Sequence, residues 1–518
     1  MQEHLNRAIE KHQAGAFDEA ESLYREVLRL DPEHPDALHL LGVLGFQTGH
    51  AGPARQLVEQ AVRLRPDSAH YLESLAQILT FLEDDVAFVA VQQALIRMDA
   101  PSLETWLALA RAQLRLGQYD QAAAALQSAE RIAPANPWVL NLSGHLYQHQ
   151  GDYSRAEAAY RQALISLRSP DILSNLAIAL HEQGRYEQAL SCWSEALQLD
   201  PKHAESQMNT GMSRLLQGEW LSALDVYEPW RWRVRGNQQR PFVKTVPLWD
   251  GSELSADQAL LIHAEQGLGD TLQFMRYLPL AARRASRIVF ECQDSLTELV
   301  QAALPGVSVI GQSDPLPPFA VQLPLLSLPW VLQASQKAEV FPYLSARDAG
   351  RLMLPESDSA SALKIGLVWA SGNLDPRLYH KRSLPLARCH PLFEVPDLSW
   401  YSLQLGPDAS ELAAGDWPLN DLSPLLQNFQ DTADLLIQLD LLISVDTAVA
   451  HLAGAMGQPV WLLLPHVPDW RWGLNSPETV WYPGMRLFRQ PQLADWPALI
   501  SDVVQALQEW LVQLKASR

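Results

Sequence analysis

The residues best suited to chemistry lie in two short stretches far apart in the chain. In Glu265-Gln266-Gly267-Leu268-Gly269-Asp270-Thr271, two glycines permit a tight turn after an apolar run, which would expose Asp270 at the carboxyl end of a strand. Asp270 is there the candidate general base, with Glu265 in reserve. Asp270 with Gln273 three residues on reads equally well as a capping box for the following helix. In the second stretch, Asp446-Thr447-Ala448-Val449-Ala450-His451, two good N-cap residues open an Ala-rich, helix-permissive run. A helix start offers free backbone N–H groups and the positive end of the helix dipole, a geometry that suits a phosphate or a sugar-nucleotide. His451 lies four residues after Thr447, on the same helix face.

Both stretches need strands to hold them. Leu441 to Val445 is a short apolar run suited to a strand buried on both faces, and Val460 to Leu464 is another, with Gly457 and Pro459 stopping the helix between them. The first stretch follows Ala259–His263, a short apolar strand, and precedes an amphipathic helix over Thr271–Arg284. Strands over 287–291 and 307–310 and a helix over 296–304 continue the alternation. Residues 311–360 are rich in Pro and Ser and read as irregular. The alternation restarts with Lys364–Trp369 and ends in a helix over about 497–515. Two α/β halves, 257–360 and 361–518, imply two doubly wound domains facing each other across a cleft.

The first part of the chain is organised differently. Gly15, Gly49, Gly117, Gly151, Gly184 and Gly218 recur at steps of 34, 68, 34, 33 and 34, with Glu83 holding the skipped slot. A small residue stands five places after each glycine (Ala20, Ala54, Ala122, Ala156, Ala189, Ala223), and an aromatic stands two after most of them (Phe17, Tyr119, Tyr153, Tyr186, Trp220). Each unit reads as helix, glycine turn, helix, with the alanine allowing close approach and the aromatic filling the gap. The pattern resembles the tetratricopeptide repeat, about seven copies over residues 1–236, an α solenoid whose groove holds a peptide or protein. The Trp-rich segment Tyr227–Arg233 would cap the array, and 237–256 would link it to the α/β part.

Composition narrows the function classes. A formal net charge of −20 argues against a nucleic-acid partner and against docking on an anionic membrane. Cys192, Cys292 and Cys389 are too widely spaced for a disulfide framework or a metal cluster, no run approaches a membrane span, and the start carries no apolar signal core. The expected location is cytoplasmic. No Asp-x-Asp pair, no cluster with metal spacing, no P-loop and no Gly-x-Gly-x-x-Gly is present, so no metal or cofactor is expected.

Glu265–Thr271 with Phe274 and Arg276-Tyr277, Val445–Ala455, Pro468-Asp469-Trp470-Arg471-Trp472 and Arg486–Gln490 together resemble a bacterial group of repeat-bearing glycosyltransferases related to the heptosyltransferases. In architecture the chain is also similar to the repeat-bearing O-GlcNAc transferases and the flagellin glycosyltransferases. The resemblance implies a GT-B fold and transfer of a sugar from a nucleotide-sugar donor to a protein hydroxyl, with flagellin as a conceivable acceptor, held by the repeats. It implies Asp270 as base, and donor contacts from Gly267, Gly269, Thr447, the amides of Ala448, Val449 and Ala450, and His451, with Asp446 placed to cap the helix. The segment Trp369-Ala370-Ser371-Gly372-Asn373 would line the cleft, and Lys381-Arg382-Ser383 would bring cations to the donor phosphates. Two other readings compete: a non-catalytic repeat scaffold with a degenerate nucleotide-sugar domain, and a saccharide or lipid-linked glycan transferase.

Overall fold

Fourteen helices lie between Gln2 and Arg235 among the described residues, two for each of seven repeats. The computed structural model describes every residue except 99–100, 236–240, 338, 348–351, 356–361, 373–375 and 518, so Asn373 lies outside the described residues. The chain divides into two compact units, Met1–Leu180 and His181–Arg518.

The glycine period has a backbone cause. Gly15, Gly49, Gly117, Gly151, Gly184 and Gly218 all turn with φ between 70° and 90°, the left-handed conformation that favours glycine. Glu83, in the skipped slot, adopts it as well, at φ 56°. The alanines five places after the glycines are fully buried. The aromatics two places after do not fill the gap as predicted: Phe17, Tyr119, Tyr153 and Tyr186 are the first residues of their helices, and Phe17 is 38% exposed. The gap is filled two helical turns further on, nine places after each glycine slot, by Tyr24, Val58, Gln92, Leu126, Tyr160, Trp193 and Tyr227, all buried. Opposite them stand small residues, and a Cβ added at Gly42 would come within 2.6 Å of Val58 and one at Gly211 within 2.7 Å of Tyr227.

In the unit His181–Arg518, the helices Tyr186–Leu199, Ala204–Leu216 and Leu221–Arg235 precede two parallel sheets. The first holds β1 (Leu260–His263), β2 (Ile288–Cys292), β3 (Ser308–Gly311) and β4 (Val321–Pro324) in the order β3-β2-β1-β4. The second holds β5 (Leu363–Val368), β6 (Leu398–Ser402), β7 (Leu419–Asp421), β8 (Leu441–Val445), β9 (Val460–Leu464) and β10 (Met485–Arg489) in the order β10-β9-β8-β5-β6-β7. Read from its own first strand, the second sheet has the doubly wound order 3-2-1-4-5-6, and the first sheet has the opening part of it. The order reverses between β1 and β4 and between β5 and β8. In open parallel sheets, ligands bind beyond the carboxyl ends of the strands at such points.

Two sequence expectations change. β4 lies inside the stretch read as irregular; Pro324 is tolerated because it closes an edge strand, where a missing N–H costs no ladder bond. The helix expected over Thr271–Arg284 is broken into Leu268–Phe274, a 3₁₀ turn Met275–Tyr277, and Leu278–Ala282, whose second residue is Pro279. Arg276 sits buried at the break. It donates to the Gln273 and Trp481 carbonyls and to the Tyr343 hydroxyl.

Candidate functional site

The carboxyl ends of the two sheets meet through two helices. Leu268–Phe274 follows β1 with Gly267 and not Asp270 as its N-cap residue, so Asp270 does not cap it with Gln273. Ala448–Ala455 follows β8 with Thr447 and not Asp446 as its N-cap, since Asp446 turns to Arg382. They approach closely because Gly269 has no side chain, since a Cβ there would lie 2.8 Å from His451 Cδ2. The Thr447 hydroxyl accepts from the Ala450 N–H at 3.4 Å. The first-turn amides of Ala448 and Val449 have no intrahelical acceptor, and both residues are half-buried. Thr447, Ala448 and Val449 therefore sit where an anion could use them.

Asp270 is the third residue of its helix. One carboxylate oxygen accepts from the Gly267 N–H at 3.0 Å, the returning half of a capping box, and the other takes the Arg471 guanidinium. From Arg471 a chain of alternating charges runs into the second sheet. Arg471 Nη1 meets Asp469 Oδ1 at 2.8 Å; Asp469 Oδ2 accepts from Arg382 Nη2 at 2.9 Å; Arg382 Nη1 lies 3.4 Å from Asp446 Oδ2. His451 ends the chain, its Nε2 lying 3.7 Å from Asp446 and its Nδ1 2.8 Å from the Tyr482 hydroxyl, with the ring stacked on Trp472. Burial works against ionising both carboxyls, yet Arg382 with His451 and Trp472 at Asp446, and Arg471 with Arg382 at Asp469, outweigh it and hold both below their usual range. Along the chain three aspartates alternate with two arginines, and His451 stands at its end.

The chain has an open side. The side chains of Arg382, Asp270 and Asp469 keep 23%, 20% and 17% of their surface, while those of Arg471, Asp446 and His451 are almost closed off. Lys381 points elsewhere, to Glu182 at 2.7 Å. Ser383 accepts from the Ser371 N–H at 3.0 Å and so joins the two loops that flank Arg382.

Two predicted site residues lie away from this chain. Trp369 is fully buried, with its indole N–H turned to Glu411 at 3.3 Å, so it belongs to the core and not to a cleft wall. Its side chain follows the alternation of β5 into the apolar layer under the C-terminal helix Trp496–Ser517. Glu265 is 4% exposed in a second ionic cluster, between the carboxyl ends of β1 and β4. There Arg231 of the helix Leu221–Arg235 binds Glu265 at 2.8 Å and Glu228 at 2.9 Å, and Ser327 donates to Glu228 at 2.7 Å. Burial, reinforced by Glu228, outweighs the attraction of Arg231 and pushes the Glu265 carboxyl up to about 7, and Glu265 Oε2 has no hydrogen-bond partner among the described residues.

Sequence reading had Arg471 in the Pro468–Trp472 motif, either shaping the acceptor or nucleotide side or packing between domains, but missed its pairing with Asp270, and it missed the Glu228–Arg231 pair. The second had a local signal, opposite charges three residues apart on one helix. The pairing of Arg471 with Asp270 had no local signal, because 201 residues separate them.

Comparison with known proteins defines the class of the first part. Tetratricopeptide-repeat models match residues 11–78 and 116–168, 90–137, and 170–203, and this part is a tetratricopeptide-repeat array. Over nearly its whole length the chain is similar to Protein FlbA of Caulobacter vibrioides, 25% identical over 98% of this chain and 90% of that protein. It is also similar to the human Protein O-mannosyl-transferase TMTC1, 28% identical over 40% of this chain but only 20% of that protein. Among solved structures, a tetratricopeptide repeat protein from Parabacteroides merdae covers 46% of this chain and 94% of its own at 15% identity, with a TM-score of 0.40. No described helix is long and apolar enough to cross a membrane.

Proposed function

We propose that this protein is a glycosyltransferase of GT-B architecture that moves a sugar from a nucleotide donor to a hydroxyl of a protein presented by the repeats. The observation that carries the reading is the meeting of two strand-order reversal points: Asp270 from one sheet and the Thr447–Val449 helix start from the other are linked by one chain of ion pairs. Transfer needs a base for the acceptor hydroxyl and positive charge for the departing phosphate. Asp270 suits the first need because a fifth of its side chain stays open. The first-turn amides of the half-buried Ala448 and Val449 and the guanidinium of Arg382 suit the second. Glu265 drops out as a base because its carboxylate is enclosed with Arg231. That TMTC1 is an O-mannosyl-transferase agrees with a protein acceptor, although this chain spans a fifth of TMTC1's length.

The ion pair between Asp270 and Arg471 favours a second reading, a repeat scaffold whose nucleotide domain is catalytically silent, because a paired carboxylate is a poorer base. One experiment separates them. Thermal midpoints of the wild type and of Asp270→Asn are measured with UDP, GDP, ADP and CMP, and the intact mass of a co-expressed acceptor protein is followed. A transferase gives a nucleotide-dependent rise in midpoint in both proteins, corresponding to about 2.7 kcal/mol at a hundredfold excess over Kd. It adds sugar mass only with the wild type. Equal sugar transfer by Asp270→Asn refutes the base assignment; no added mass with either protein, despite nucleotide binding, leaves the scaffold.

A further inference from the structure

We infer that Arg382 and Arg471 form a phosphoryl site in which Asp469 now holds the place of the ligand. Its ligand class is a diphosphate, and the inference rests on the donor reading above. Asp469 spans the two guanidiniums with one oxygen each, Oδ1 to Arg471 Nη1 at 2.8 Å and Oδ2 to Arg382 Nη2 at 2.9 Å. A phosphoryl group presents pairs of oxygens that meet guanidinium N–H groups in the same way, and arginine is the side chain whose planar fork suits it. Asp469 is ionised despite its burial, held so by Arg471 and Arg382. It therefore competes as an anion.

The remaining contacts are consistent with a fork that stays aimed when Asp469 leaves. Arg471 keeps Gln273 at 2.8 Å on its Nε and Asp270 on its Nη2, and Arg382 keeps Asp446. Asp446 immediately precedes Thr447, so Arg382 contacts the residue that leads into the helix start at Ala448 and Val449. Two cationic features side by side match two phosphoryl groups, one on the amides and one in the fork. With Asp469 in place its carboxylate occupies both guanidiniums and repels an incoming anion. Neutralising or withdrawing this one carboxylate removes that repulsion. Asp469 itself sits on a short loop, between Val467 and the 3₁₀ turn Trp470–Trp472, followed by Gly473 at φ 60°.

The test is pyrophosphate binding by calorimetry to the full chain, with inorganic phosphate as a second probe. Asp469→Asn, which keeps the shape and removes the charge, is expected to bind pyrophosphate at least tenfold more tightly than the wild type, and inorganic phosphate at least tenfold more weakly than pyrophosphate. Adding Arg471→Gln to Asp469→Asn should abolish the gain. Circular dichroism melts establish that each variant is folded. Unchanged or weaker pyrophosphate binding by folded Asp469→Asn overturns the inference. If the wild type also binds pyrophosphate and Arg382→Gln loses it, that outcome leaves the donor reading standing. No binding by the wild type or by Asp469→Asn overturns both.

Discussion

Glu265→Gln should stabilise this protein at neutral and alkaline pH and leave it nearly unchanged in acid. In the folded chain the Glu265 carboxyl titrates at about 7 against an ordinary value of 4.5, because burial and the nearby Glu228 outweigh Arg231. A carboxyl raised in the folded state favours folding while protonated; that contribution is complete below pH 4.5 and is lost as pH climbs through 7. At 1.36 kcal/mol for each decade of proton affinity, the gap amounts to roughly 3 kcal/mol at pH 8. The residue is almost fully enclosed, so solvent screening takes little from this figure. Glutamine resembles the protonated acid and carries none of the penalty. The assay is urea unfolding of the full chain at pH 5, 6, 7 and 8, followed by tryptophan fluorescence for both proteins. Other titrating groups act on both alike, so the difference isolates Glu265. It should be small at pH 5 and grow towards pH 8 in favour of the variant. A difference that does not change with pH refutes the argument. A variant that becomes progressively less stable as pH rises would show that the ion pair with Arg231 dominates instead.

Other consequences can be checked with single substitutions. Glu83→Gly relieves the one non-glycine residue in the left-handed repeat turns and should raise stability by about 1 kcal/mol, read from the thermal midpoint of the repeats. Gly269→Ala drives a methyl group into His451 and should cost about 1–3 kcal/mol; nucleotide-induced thermal shifts should shrink with it, because the two helix starts are pushed apart. Unaltered stability in Gly269→Ala would mean that the approach of the two helices is looser than the structure has it.

Much of the architecture was legible because it is written in local periods. The repeat turns need a left-handed residue every 34 positions, and only glycine supplies it cheaply, so the glycines marked the array; Glu83 shows that the slot persists where the marker is lost. In the second sheet β5, β8 and β9 stood out as apolar runs, whereas β6, β7 and β10, short or interrupted by polar residues, did not. β4 was hidden by prolines whose edge position makes them harmless, and the break after Phe274 was hidden by an apolar pattern that continues through Pro279. In the site, the helix starts at Gly267 and Thr447 were readable from caps and glycines. The charges between them were not, because Asp270 finds Arg471 across 201 residues and Arg382 finds Asp469 across 87. Trp369 shows the converse error, since a residue at a strand end looks like part of a cleft wall until its ring is found in the core.

The cluster of Glu228, Arg231, Glu265 and Ser327 also bears on how such a chain can be recombined. Its arginine comes from the last helix of the array and its second glutamate from the first parallel sheet, so the final repeat shares a buried charge balance with the α/β part. A cut at residue 236, where composition changes, would strip Arg231 from Glu265 and strand a carboxylate in apolar surroundings. The compact boundary after Leu180 falls within the helix Pro170–Glu182, so a cut that keeps whole repeats lies between Ser166 and Pro170, and it leaves that balance intact. Removing or exchanging repeats upstream of that point leaves the cluster untouched, whereas the closing repeat keeps its buried charges balanced only together with the sheets.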